Sequence, residues 1–79
     1  MFVSLPIRTD YTTKENQFIN INSIVRVRPL PERYHNDKSN SSNTCIVEVS
    51  LGSTYKELFI AMNYQDTSKK INNAYHYNQ

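Results

Sequence analysis

The sequence predicts a small α+β domain, mainly β: a four-stranded antiparallel sheet (β-β-β-β-α) with a short C-terminal helix against one face. Three observations predict it. Two dense β-branched runs, Phe18-Ile19-Asn20-Ile21-Asn22-Ser23-Ile24-Val25-Arg26-Val27-Arg28 and Thr44-Cys45-Ile46-Val47-Glu48-Val49-Ser50-Leu51, are divided by a polar insert. The second run alternates strictly between apolar and polar positions, the signature of a half-buried strand. Beyond Asp66 the alternation gives way to helical spacing.

The first strand covers residues 2 to 8, with Val3, Leu5 and Ile7 on the core side and Phe2, Ser4, Pro6 and Arg8 on the other. Pro6 cannot donate to a ladder, which predicts a sheet edge or a Pro6 position turned to solvent. The polar stretch Thr9–Gln17 turns the chain.

In the second strand Ile19 and Ile21 share one face, Ile24 falls out of step, and Val25 and Val27 return to it. A bulge or short turn at Asn22-Ser23 would let Ile24 and Val27 both point inward; the alternative is a strand buried on both sides. Pro29 and Pro31 end pairing, because each removes a backbone donor and holds its predecessor extended.

Residues 31–43 form a polar insert with almost no apolar content. Such a segment cannot offset its ordering entropy, so a flexible loop is expected, either functional or merely slack. Cys45, Val47, Val49 and Leu51 then face the core, and Gly52-Ser53 turns into a fourth strand with Leu58, Ile60 and Met62 inward. Asp66-Thr67-Ser68 offers N-cap oxygens to a helix carrying Ile71, Ala74 and Tyr75 on one stripe. That stripe is narrow, so docking on the sheet must stabilise the helix.

At 79 residues the chain forms a single domain, residues 1–79. A domain of this size buries only about 60% of the surface its unfolded chain exposes. Small scaffolds are reinforced by disulfides, metals or oligomerisation, and Cys45 is the only cysteine, so a homo-oligomer is expected. A lone cysteine in an apolar strand reads as a core residue and fits a reducing compartment. The start, Met1 to Ile7, is too short for a signal h-region, and no apolar run reaches a membrane span. A cytoplasmic protein with no membrane partner is therefore expected. The wealth of Asn, Lys, Ile and Tyr matches AT-rich codons and hints at a phage or a low-GC bacterial genome.

No constellation here carries recognisable catalytic chemistry. Glu48 and Glu57 could face each other across the last hairpin, but they can equally pair with Arg26 or Arg28 on the solvent side. His35 and His76 lack zinc-ligand spacing, and the single glycine removes phosphate-cradling loops. No catalytic residue, no metal and no cofactor is expected. A net charge of +2 is too small for the field of a dedicated nucleic-acid binder.

What remains is one candidate binding surface. Arg26 and Arg28 project from the same side of their strand, continued by Arg33 and Tyr34 in the insert, with Tyr55 and Phe59 extending the same outer face. Guanidinium forks beside aromatic rings suit a host or viral protein partner, and alternatively a nucleic acid or nucleotide.

The order of these segments resembles that of very short bacterial and phage proteins of the flagellar FlbD-like family. The matching residues are Ile19-Asn20-Ile21-Asn22-Ser23-Ile24-Val25-Arg26-Val27, for a pattern I-N-x-x-x-I-x-x-V, then Ile46 to the Leu51-Gly52 strand end, Leu58-Phe59-Ile60, and Ser68-Lys69-Lys70-Ile71. The insert departs from that family's usual tight hairpin. The resemblance implies a non-enzymatic regulatory or accessory factor, with no catalytic residues to carry over.

Overall fold

The computed structural model describes residues 1–10, 13–32 and 43–77. The expected flexibility of the insert falls largely on residues outside these. The elements run β1 (Phe2–Arg8), β2 (Lys14–Asn20), a 3-10 turn (Ile21–Ser23), β3 (Ile24–Pro29), β4 (Cys45–Ser50), β5 (Tyr55–Ile60) and α1 (Tyr64–Tyr77). All pairings are antiparallel, in the order β2-β1-β5-β4-β3.

Among the described residues the domain is thus β-rich with one C-terminal helix, and its sheet has five strands rather than the expected four. The extra strand comes from the first β-branched run, which divides at the 3-10 turn into two strands on opposite sheet edges. The Asn20 side chain accepts from the Asn22 N–H at 2.9 Å, and the Ile24 N–H closes the turn on the Ile21 carbonyl. Asparagine oxygens compete in this way with ladder bonds.

This short link dictates the shape of the sheet. Edge strands of a flat five-stranded sheet lie about 19 Å apart, four spacings of about 4.8 Å. Three 3-10 residues advance only about 2 Å each, so the sheet must curl until the end of β2 meets the start of β3. Ile19 and Ile21 from one edge consequently join Ile24 and Val27 from the other in one core, together with Val3, Leu5, Ile7, Cys45, Val47, Val49 and Ile60.

Ile24 and Val27 do both reach that core. A register shift between Ile24 and Arg26 sets Val25 aside as a bulge residue, exposed on the surface. Leu51, by contrast, lies outside β4 and is exposed, because the turn that follows takes it off the inner row. Gly52 at φ +93 makes that turn, closed by the Leu51 N–H on the Thr54 carbonyl at 2.8 Å.

Pro6 also departs from expectation: β1 is an interior strand, and Pro6 is buried. The Ala61 N–H donates to the Pro6 carbonyl at 2.7 Å, so Pro6 turns its backbone towards β5 and its missing donor falls on that side. There the two strands share a single residue pair, Ile7 with Ile60. The seven-residue β1/β2 ladder on the other side is untouched.

α1 begins at Tyr64, earlier than the Asp66-Thr67-Ser68 cap predicted. Asn63 caps it: the Asp66 N–H donates to Asn63 Oδ1 at 2.7 Å, and Asn63 Nδ2 donates back to Asp66 Oδ2 at 3.1 Å. Thr67, freed from capping, is fully buried, and Ile71 and Ala74 pack on the core, setting α1 against β1, β3 and β4.

Candidate partner-binding face

The register of β3, β4 and β5 arranges the outer face in rows. Arg26 lies opposite Glu48, which lies opposite Glu57; Arg28 lies opposite Ile46, which lies opposite Phe59; Ser50 lies opposite Tyr55. Directly opposed residues share a face, so Arg26, Arg28, Tyr55 and Phe59 lie on one surface, as the alternation predicts.

Both arginines are engaged by carboxylates. Arg26 donates to Glu48 Oε2 from Nη2 at 2.7 Å and from Nε at 3.1 Å. Arg28 donates to the same oxygen from Nε at 2.7 Å, and its Nη2 reaches Glu57 on β5. The hydrogen bonds of Arg26, then of Arg28, hold the Glu48 carboxyl below its ordinary pKa, and the bond to Glu48 raises that of Arg28. Glu48 and Arg28 are therefore held in their charged forms near neutrality.

The face is not uniformly open. Ile46 is fully buried although it points away from the main core, and Leu30 and Thr44, which flank the insert, are buried as well. Arg8 Nε binds Thr44 Oγ1 at 2.9 Å at this covered end. Phe59 is half-buried beside Ile46, whereas Tyr55, at the other end, is 68% exposed. Arg33 and Tyr34 lie outside the described residues, so the structure brings together four of the six predicted site residues.

Two surfaces escaped sequence reasoning. Phe18 lies opposite Ser4, one position diagonal to Phe2, and the two rings stand at 78% and 59% exposure on the outer side of the β1/β2 hairpin. Alternation placed Phe2 outside, but only the β1/β2 register sets Phe18 beside it. The second surface is an open groove of about 790 Å³ between the β3 edge and α1, with Ile24, Val27 and Ile71 in it and Asn22, Lys69 and Tyr75 along its sides. It joins segments more than forty residues apart, so no local pattern announces it.

Among the described residues no group of three or more His, Cys, Asp or Glu side chains could hold a metal ion, and no helix is long and apolar enough to cross a membrane. Cys45 is fully buried, its thiol pushed up in pKa by that burial and opposed by a hydrogen bond with Thr67.

Fold and face together define a small, curled antiparallel sheet with a docked C-terminal helix and a charge-balanced outer surface. Comparison with protein-family models, curated proteins and solved structures finds no match to the chain.

Proposed function

We propose that this chain is a small non-enzymatic accessory or regulatory protein, phage-encoded and cytoplasmic, which binds a host or viral protein through the outer face of β3, β4 and β5. The observation that carries this reading is the Arg26, Glu48, Arg28 and Glu57 lattice with Tyr55 exposed beside it. Charged groups already ordered by one another lose little freedom on contact, and an adjoining tyrosine supplies apolar area with a polar tip. Glu48, held ionised by two guanidinium groups, is a poor proton donor, which speaks against acid–base chemistry with Glu57. The likeness to FlbD-like proteins points the same way.

The test is quantitative capture of partners from host lysate by the wild-type protein and by Tyr55→Ala. A partner held by the wild type and lost by the variant supports the reading; equal retention of every bound protein sinks it.

The second reading, a nucleic-acid or nucleotide binder, draws on Arg26, whose side chain is 63% exposed despite its ion pair. The net charge of +2 gives little field for counterion release, which makes this the weaker reading. Titration with labelled single strands at two salt concentrations separates the two, because phosphate contacts weaken as salt rises. Absence of binding at low salt removes it.

A further inference from the structure

The groove beside β3 has a feature that an ordinary apolar depression lacks: one of its walls is a sheet edge. β3 is the last strand in the order, and no strand among the described residues pairs with its outer side. Alternate backbone N–H and C=O groups along such an edge are a template for one more strand. Behind the edge, Ile24 and Val27 of β3 and Ile71 of α1 lie in the groove, each only partly covered although packed against the core.

The chemistry of the occupant can be read from the rows that end at this edge. On the inner side the row ends in Val27, facing the apolar groove. On the outer side the row Glu57, Glu48, Arg26 ends in a cation. Arg28, two residues along β3, is held between Glu48 and Glu57, whereas the Arg26 side chain is bonded to Glu48 alone among the ion pairs and stays 63% exposed. A strand laid beside β3 would meet Arg26 with its outward side chains and Val27 with its inward ones. On the opposite side of the groove, exposed Lys69 of α1 adds a second positive charge.

We propose that the β3 edge and the α1 groove take up an extended acidic peptide segment of a partner protein as a sixth strand. Its alternate apolar side chains enter the groove over Val27 and Ile71, and its intervening carboxylates meet Arg26. This rests on the protein-binding reading above and extends the contact from the outer sheet face to its β3 edge. Backbone pairing supplies affinity, and the alternation of apolar and acidic residues supplies selectivity.

The probes are capped, fluorescein-labelled heptapeptides: Glu and Val alternating, Lys and Val alternating, and the first composition with its four Glu and three Val in separate blocks. Anisotropy titrations of the full chain should show the alternating Glu peptide binding at least about tenfold more tightly than either control, a difference of about 1.4 kcal/mol. Amide shift changes should map to Val25, Val27, Ile71 and Asn72. Arg26→Glu should reverse the preference in favour of the Lys peptide; because that variant sets a third carboxylate beside Glu48 and Glu57, Lys69→Glu serves as a second variant that leaves the lattice intact and should weaken the Glu peptide. Equal binding of the alternating and block peptides, or binding of none, overturns the proposal. So do shifts centred on Tyr55 and Phe59, which would leave the face as the binding surface, and so does a β3-to-β3 dimer of the free protein, which would assign the edge to a second copy. Loss of partner capture in Tyr55→Ala with no peptide bound at the groove would preserve the face reading while rejecting this one.

Discussion

Arg28 and Glu57 stand on strands that do not pair with each other, yet the Arg28 side chain crosses β4 to reach the Glu57 carboxylate while its Nε binds Glu48 on the way. One guanidinium therefore ties three strands together. A lysine offers a single ammonium and cannot occupy both positions in that planar geometry.

Arg28→Lys should consequently lower the melting temperature, and the difference from the wild type should shrink in 1 M salt, where the screening length is about 3 Å. Circular dichroism melts at low and high salt check this. A difference unaffected by salt would mean that the aliphatic stem of Arg28, rather than its charge, supports the sheet.

The lowered pKa of Glu48 sets the sign of a pH effect. A carboxyl whose folded pKa lies below its ordinary value of 4.5 contributes stability that is fully present above that value and is lost as pH falls through the lowered one. The stability gap between wild type and Glu48→Gln should therefore narrow as pH falls from 7 into the range below 4.5. Urea midpoints of both proteins at pH 7, 4 and 3 measure it, and a gap constant across that series would contradict the role given to the arginines.

Leu5 is fully buried on the inner row of β1. Leu5→Ala should destabilise by about 2–5 kcal/mol through lost burial and the cavity left behind. Against a total stability of about 5–15 kcal/mol for a small domain, that is enough to lower the urea midpoint substantially. A change below about 1 kcal/mol would show that the curled sheet collapses to refill the site.

The reciprocal bonds between Asn63 and Asp66 predict that Asn63→Ala costs about 1 kcal/mol, the usual effect of losing a side-chain cap. Asn63→Asp, which keeps the acceptor but sets a second carboxylate facing Asp66, should recover only part of it. Chemical denaturation of the two variants distinguishes loss of the acceptor from general fraying of the helix.

Cys45 supplies a probe of opening. Its thiol is buried beneath α1 and held above its ordinary pKa by that burial, so a thiol reagent should react at a rate set by unfolding rather than by the thiol itself. Labelling should accelerate in urea in parallel with the loss of circular dichroism. Rapid labelling of the native protein would show that α1 undocks independently of the sheet.

Much of this structure is legible in short stretches of residues. The alternation in β1 identifies Val3, Leu5 and Ile7 as core. Of the two readings open for the first β-branched run, a break or a strand buried on both sides, the break is the one found, although the bulge that turns both Ile24 and Val27 inward lies at Val25 rather than at Asn22-Ser23. The pairing of Arg26 and Arg28 with Glu48 and Glu57 follows from the same period of two, because side chains two apart on a strand share a face and meet those of the neighbouring strand.

Strand count, strand order and the groove were not legible in this way. Whether Asn20 to Ser23 makes a bulge within one strand or a turn between two is decided by which strands are available to pair on either side, and β1 and β4 supply partners for two. The interior place of β1 follows from closure by β5 across a single residue pair, which Pro6 tolerates. Periodicity, in short, determines which face each residue presents, since that depends on backbone geometry alone. Which edges stay open and which distant surfaces meet was decided by tertiary structure, because a three-residue link between opposite edges forces the sheet to curl and leaves a groove where β3 passes α1.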